Sequence, residues 1–362
     1  MRPLQERQTT ALYPTYPVAS ASAQGLKALP LLLHEKLISK KLMNKRQEIR
    51  SKRQELRRIK NELPHTTADK QKRIEYKKRK KRLQKEVFRL EDDLRHAAEA
   101  GSNGDPNGRQ APQAASESAM GAMPDFLIVG AKKCGTTFLY DLMSRHPYVE
   151  PAAKKELHYF DIFFEEETPE WYRRCFPPPR WKDGRRIITG EATPYWDKNR
   201  VPERIAKVLP QAQLIVLLRN PVDRAYSDYQ QARRKGWETR TFEEAIEAEK
   251  TQLPASSKYL SRSTYVDNLL RWSKYFGNEQ MLVLKSEDLF ERTQGTMERV
   301  LDFLDLPNWE PEASEKRNRG KYEQEMRSAT RQQLEEYFEL HNEKLYEYLG
   351  VEFEWQQLCT KS

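Results

Sequence analysis

The sequence predicts an α/β fold: a P-loop-like parallel sheet flanked by helices, preceded by a basic α-helical hairpin or coiled-coil arm. Three observations carry this. Short uninterrupted apolar runs at Phe126–Val129, Gln213–Leu218 and Gln280–Leu284 read as strands buried on both faces. Helical patterns alternate with them, the arrangement of a mainly parallel sheet covered on two sides. The charge is also divided. Residues 1–123 hold 27 basic and 14 acidic side chains, whereas residues 124–362 hold 37 and 40. The basic character therefore belongs to the arm, and the near-neutral remainder must take any anion specificity from local sites.

The elements follow in chain order. Residues 1–34 are rich in Ser, Ala, Thr and Pro toward the start and are expected to be disordered. The apolar run Leu29–Leu33 contains Pro30 and lacks a convincing cleavage site, so it is not read as a signal peptide. Residues 35–97 form the arm. Leu42, Ile49, Leu56 and Leu63 recur every seven residues, Pro64-His65-Thr66-Thr67 interrupts, and Leu83, Val87, Leu90 and Leu94 resume at helical spacing. Residues 41–90 carry 20 basic and 6 acidic side chains, which fits either a solvated helical face or a polyanion-binding surface. Residues 98–123 are a low-complexity, flexible linker. The globular domain spans 124–356, with a weaker strand at Arg186–Thr189 and helices near 136–145, 222–235, 241–249, 264–276, 294–304 and 328–348.

Composition excludes several classes. The 3 cysteines (Cys134, Cys175 and Cys359) are too few for a disulfide framework or a zinc knuckle. No segment reaches the roughly 18–20 apolar residues of a membrane span. The expectation is a soluble cytoplasmic protein.

In parallel sheets of this kind ligands bind beyond the carboxyl ends of the strands, here after Val129, Thr189 and Leu218. Gly130-Ala131-Lys132-Lys133-Cys134-Gly135-Thr136-Thr137 follows the first strand and opens a helix, so its amides can cradle an anion. The spacing matches a Walker A loop as far as Gly135. Thr136 then stands where an NTPase has lysine, and the lysine comes earlier, at Lys133. The alternative is a tight turn with exposed lysines. Leu218-Arg219-Asn220-Pro221 leaves the Gln213–Leu218 strand and starts a helix through Pro221, with Ser227 two turns on. Arg219 suits a phosphate; otherwise these are a surface Arg–Asp pair and a helix serine. In Lys155-Glu156-Leu157-His158-Tyr159-Phe160-Asp161, alternation along an extended stretch would put Glu156 and His158 on one face, as proton-transfer groups or as a plain polar surface.

Taken in order, these segments resemble the sulfotransferases that use 3′-phosphoadenosine 5′-phosphosulfate (PAPS). The likeness is nearest to heparan sulfate 3-O- and N-sulfotransferase domains and their bacterial relatives, and hence to the sulfotransferase fold. It extends through Gly190-Glu191-Ala192-Thr193-Pro194, Arg262-Ser263-Thr264-Tyr265, Arg319-Gly320-Lys321-Tyr322 and Gly350–Trp355, and leaves out the first 123 residues. The resemblance implies that Lys133, Cys134, Gly135, Thr136 and Thr137 hold the 5′-phosphosulfate, with Lys133 on the bridging oxygen. It implies Arg219 and Ser227 on the 3′-phosphate, and Arg319, Gly320 and Lys321 in a loop closing over PAPS. Glu156 matches the acceptor base and His158 its neighbour. No metal is called for, since a sulfuryl group carries less charge than a phosphoryl group. Ala192 replaces a lysine of the glycosaminoglycan enzymes, removing a cation expected beside the acceptor.

The resulting expectation is an enzyme that moves the sulfuryl group of PAPS to a hydroxyl or amine, with a glycan as acceptor partner. Trp171, Trp181, Trp196, Trp237 and Tyr195 are candidate sugar-stacking faces. The arm is expected to make homo-oligomers or to dock on an acidic surface. Two rival readings are a P-loop kinase or NTPase and a basic helical scaffold for nucleic acid or acidic partners. The first lacks the Walker lysine, and the second lacks aromatic interleaving.

Overall fold

The computed structural model describes residues 43–56, 58, 75, 78–80, 82–87, 89–90, 120–251, 257–310 and 325–355. The chain divides into two compact units, one of residues 1–55 and 86–108 and another of 56–85 and 109–362. In the first, residues 43–55 are helical and Ile49 is buried. The break at Pro64–Thr67 and most of the expected hairpin fall outside the described residues.

The second unit is built on five parallel strands. These are β1 (Phe126–Gly130), β2 (Val149–Pro151), β4 (Arg185–Ala192), β5 (Gln213–Leu218) and β6 (Met281–Lys285), ordered β2-β4-β1-β5-β6. A short β3 (Arg180–Lys182) pairs antiparallel with the start of β4. Phe126–Val129 and Leu214–Leu218 are each at most 1% exposed, so the two central strands are apolar on both faces, as their unbroken hydrophobic runs require. β6, at the edge, is buried at Met281 and Leu284 and half-buried elsewhere.

Helices pack on this sheet: α1 (Thr136–Met143), α2 (Pro169–Arg173), α3 (Val201–Val208), α4 (Pro221–Arg234), α5 (Phe242–Thr251), α6 (Tyr265–Trp272), α7 (Ser286–Glu291), α8 (Thr293–Phe303) and α9 (Ser328–Leu349). The helix that opens with Pro221 starts there because Asn220 caps it. Its side-chain oxygen accepts from the amides of Val222 (3.0 Å) and Asp223 (3.3 Å), and Pro221 needs no donor at the first position.

Two expectations are corrected. The strand expected to end at Thr189 runs on through Gly190, Glu191 and Ala192, carrying Glu191 into the core rather than into a loop. The stretch 155–161 is not extended. Glu156 (φ 61°) and His158 (φ 57°) are both left-handed, and His158 opens a single π-turn at Tyr159–Phe163. The turn forms because Tyr159 and Phe160 bury against Tyr172 and Tyr195, and Phe163 against Trp171, which overrides the alternating pattern.

Candidate active site

The ends of β1 and β5 lie side by side in the sheet, so the loop after Gly130 and the arm at Arg219 converge by topology alone. Gly130 adopts φ 148°, and a Cβ there would stand 2.6 Å from the Trp196 Cβ; only glycine allows this turn. Gly135, at φ 93°, caps α1 without a side-chain bond, leaving the first amides of the helix, at Thr136 and Thr137, directed out of it. Thr136 and Thr137 are half-buried.

The two adjacent loop lysines have different surroundings. Lys132 donates to Asp228 Oδ1 at 2.6 Å, and Arg224 Nη1 reaches the Lys132 carbonyl at 3.4 Å, so α4 holds this residue at both ends. Lys133 has φ 74° and is half-buried. Burial lowers its pKa, and the charges of Lys132, Arg234 and Arg219 lower it further, against the opposing pull of Asp228. The charges of Lys132, Arg234 and Arg219 all act on Lys133, a setting that suits an anion.

Asp228 is a hub. It is 2% exposed and faces Lys132, Arg224 and Arg262. Burial opposes its charge, but Arg224, Lys132 and Arg262 hold its pKa down to about 2. Arg262 also donates to Asp197 at 2.8 Å. From the other side, Ser286 Oγ donates to the Cys134 carbonyl (2.9 Å) and Tyr265 OH to the Arg219 carbonyl (2.8 Å). The loop and the Arg219 arm are therefore held together by α4, α6 and α7.

Cys134 does not present its side chain to this cradle. It is fully buried, its amide donates to the Ala131 carbonyl, and burial pushes the thiol up to about 12. Of the five residues expected around the phosphosulfate, Lys133, Gly135, Thr136 and Thr137 keep groups available and Cys134 acts through loop shape. Ser227 lies on α4, 6% exposed, one turn before Gln231, whose buried Oε1 has no hydrogen-bond partner among the described residues. Arg319, Gly320 and Lys321 lie outside the described residues.

The acid–imidazole pair is brought together by the left-handed turns instead of by a strand. His158 Nε2 lies 3.7 Å from Glu156 Oε2, and its Nδ1 lies 3.0 Å from Asp161 Oδ1. Burial opposes protonation of His158, but Asp161 and Glu156 together raise its pKa to about 9. The His158 imidazolium, with Lys155 beyond it, holds Glu156 near 2. Behind them Glu191 is fully buried and accepts from Tyr172 OH (2.6 Å), Thr193 Oγ1 (2.5 Å) and Tyr195 OH (3.3 Å). Burial raises its pKa, offset in part by Thr193 and Tyr172.

Sequence reasoning missed Lys132, Arg224, Asp228, Arg262 and Asp161. The i,i+4 spacing of Arg224 and Asp228 was a usable signal for one pair, but nothing local announces their joint burial. Of the aromatic residues considered for sugar stacking, Trp171, Trp196 and Tyr195 are buried in the core. Trp181 is 69% exposed but sits on β3, at the end of the sheet opposite the site.

A family model for the sulfotransferase domain matches residues 123–358. Among curated proteins, the bifunctional heparan sulfate N-deacetylase/N-sulfotransferase 2 of Bos taurus is 33% identical over 196 residues, 51% of this chain and 22% of that protein. The heparan sulfate glucosamine 3-O-sulfotransferase 3B1 of Homo sapiens is 35% identical over 187 residues, 51% and 46% of the two chains. The chain thus spans less than half the length of either relative. A sulfotransferase structure from Alicyclobacillus acidocaldarius superposes with a TM-score of 0.55 at 26% identity, covering 65% of this chain and all of the other.

Proposed function

The chain belongs to the sulfotransferase family, and on that premise we propose that it transfers the sulfuryl group of PAPS to a hydroxyl or amine of a carbohydrate acceptor, with Glu156 as base. The observation that carries this reading is that β1 and β2 run parallel in one sheet, so the cation-rich glycine loop that follows β1 and the Glu156–His158–Asp161 cluster that follows β2 leave the same end of it.

The residues fit the co-substrate. Lys133 and the first amides of α1 would take the 5′-phosphosulfate, and Arg219 with Ser227 the 3′-phosphate, which an ordinary nucleotide lacks. When bound, PAPS supplies an activated sulfuryl group on a phosphate leaving group. The rest falls to the protein. Glu156, ionised throughout the neutral range, receives the acceptor's proton. Its low basicity means the proton moves late, once the new S–O or S–N bond has acidified the attacking group. His158, protonated and fixed by Asp161, steadies the carboxylate and balances its charge. Lys133 neutralises charge on the bridging oxygen as its bond to sulfur breaks.

The test is Glu156→Gln. Turnover with labelled PAPS should fall by about 10²–10⁴-fold, while calorimetric affinity for adenosine 3′,5′-bisphosphate (PAP) changes less than about twofold. Undiminished turnover would remove Glu156 as base, and absence of PAP binding by the parent protein would remove the whole reading.

A further inference from the structure

The stretch from the end of β2 to the π-turn carries the acid–imidazole pair, and it is tied to two neighbouring residues of β4. The Ala152 amide donates to Tyr140 OH at 3.0 Å, and that hydroxyl donates to the Gly190 carbonyl at 3.0 Å. The Phe160 amide donates to Tyr195 OH at 3.4 Å, and that hydroxyl donates to Glu191 Oε1 at 3.3 Å. Between these two ties lies Leu157, 1% exposed. Its amide is a hydrogen-bond partner of the Glu191 carboxylate and favours the charged form, as does the charge of His158. Tyr172 OH donates to the same carboxylate at 2.6 Å, and the Tyr172 ring stacks on Tyr159 with centroids 4.5 Å apart. One buried acid thus underlies the turn at Leu157, at Tyr159 and at Phe160.

A carboxylate is a poor choice for filling a core. Ala192, the next residue of β4, is 1% exposed without any charge, and well-packed apolar groups commonly replace buried ionic ones at no loss of stability. The use of Glu191 lies in the backbone it meets. Glu156 and His158, on either side of Leu157, both hold left-handed conformations, at φ 61° and φ 57°. Side-chain-bearing residues keep such a backbone only where the surroundings over-determine it. Three hydroxyls, from Tyr172, Thr193 and Tyr195, converge with the Leu157 amide on Glu191. Those donors call for an acceptor on both oxygens. A glutamine of the same size has one acceptor oxygen and turns an NH2 group toward a donor.

We propose that Glu191 is a positioning residue for sulfuryl transfer, holding the Glu156–Leu157–His158 turn from inside the core so that the imidazole backs the base. The inference rests on the sulfuryl-transfer reading above. At 0% exposure Glu191 acts through the turn, not on a substrate.

The test is Glu191→Gln in the full-length protein, read first by NMR of carbon-labelled histidine, which needs neither PAPS nor acceptor. The His158 signal is assigned by its loss in His158→Gln. Its pKa of about 9 in the parent should fall by about one unit, because a carboxylate charge is removed and the contact with Glu156 loosens. Ile215→Ala, a core change on β5 with no tie to the turn, should leave the same titration in place. Tyr195→Phe removes only the hydroxyl between the Phe160 amide and Glu191, and should lower the His158 pKa by a smaller amount. It decides the matter should Glu191→Gln fail to fold. An unchanged His158 titration in the folded variants would overturn the proposal. The second readout is turnover of labelled PAPS with a glucosamine-containing oligosaccharide. Glu191→Gln should lower kcat about 10- to 100-fold and leave PAP affinity within about twofold. On a Glu156→Gln background the same change should cost less than about twofold, since the group it positions is already gone. Equal losses on both backgrounds would overturn the positioning role. A shifted His158 titration with undiminished Glu156→Gln turnover would support the hold on the turn and remove Glu156 as base.

Discussion

At the scale of single residues, the Glu156–His158–Asp161 cluster sets a pH signature. His158 has a folded pKa raised to about 9, above the ordinary value of 6.5. Its contribution to stability is therefore complete below about pH 6.5 and is lost as pH rises through 9. The stability of the parent, measured by urea unfolding, should decline across that interval, and that of His158→Gln should be flatter. Glu156, near 2, stays ionised in the folded protein between pH 4 and 6; its own contribution to stability is complete above the ordinary value of 4.5 and is lost as pH falls toward 2. A pH–rate profile of kcat/KM should consequently lack the acidic limb of an ordinary carboxylate and show its transition near 9, where the partner of Glu156 loses its proton. Both side chains were visible in the sequence, and so was their pairing. The left-handed backbone that pairs them was not, because alternation of polar and apolar residues argues for a strand. The burial of Tyr159, Phe160 and Phe163 that defeats it depends on residues distant in sequence.

At the scale of elements, α4 is fixed to the glycine loop by its buried side and to Trp355 by its cap. Asn220 caps the helix and also donates to the Trp355 carbonyl at 3.1 Å. Asn220→Ala should therefore cost about 1–2 kcal/mol in chemical denaturation, at the upper part of the range for a lost cap. Asp228 is a more demanding position. Asp228→Asn leaves Arg224, which is 0% exposed, facing a neutral amide, and should cost about 3–5 kcal/mol. Lys132→Met removes a partner whose side chain is 34% exposed and should cost much less. The asymmetry between the two variants checks that the buried arginine, more than the loop lysine, depends on this carboxylate. Most helices were legible, since α4, α5, α8 and α9 lie within a residue or two of the apolar periodicities that announced them. The helices α2, α3 and α7, of five, eight and six residues, were missed, as were the three-residue strands β2 and β3. The shortest of these hold too few side chains to display a period. They form because the surrounding fold supplies their partners.

At the scale of the whole molecule, strand order does what no motif could. It sets the cradle after β1 beside the arm after β5 and leaves both at one end of a sheet whose two central strands are apolar. The ordered motifs pointed to that end without fixing how the chain joins them, since parallel neighbours such as β4 and β1 are far apart in sequence. The division between an apolar middle and a polar end has a measurable consequence. Ile215 sits at the centre of β5 at 0% exposure, so Ile215→Ala should lower global stability by about 2–5 kcal/mol through lost burial and the cavity left behind. It touches none of the ion pairs or caps that shape the cradle, and PAP affinity well below the melting temperature should remain within about twofold. Gly130→Ala, at the end of β1, should act differently. Its Cβ would meet the Trp196 Cβ at 2.6 Å with φ at 148°, so the turn into the loop must shift, and PAP affinity should fall along with stability. Calorimetry with PAP on both variants at one temperature distinguishes the two ends. If the β5 variant weakened PAP as much as the β1 variant did, the cradle would depend on the whole sheet, not on the network around Asp228.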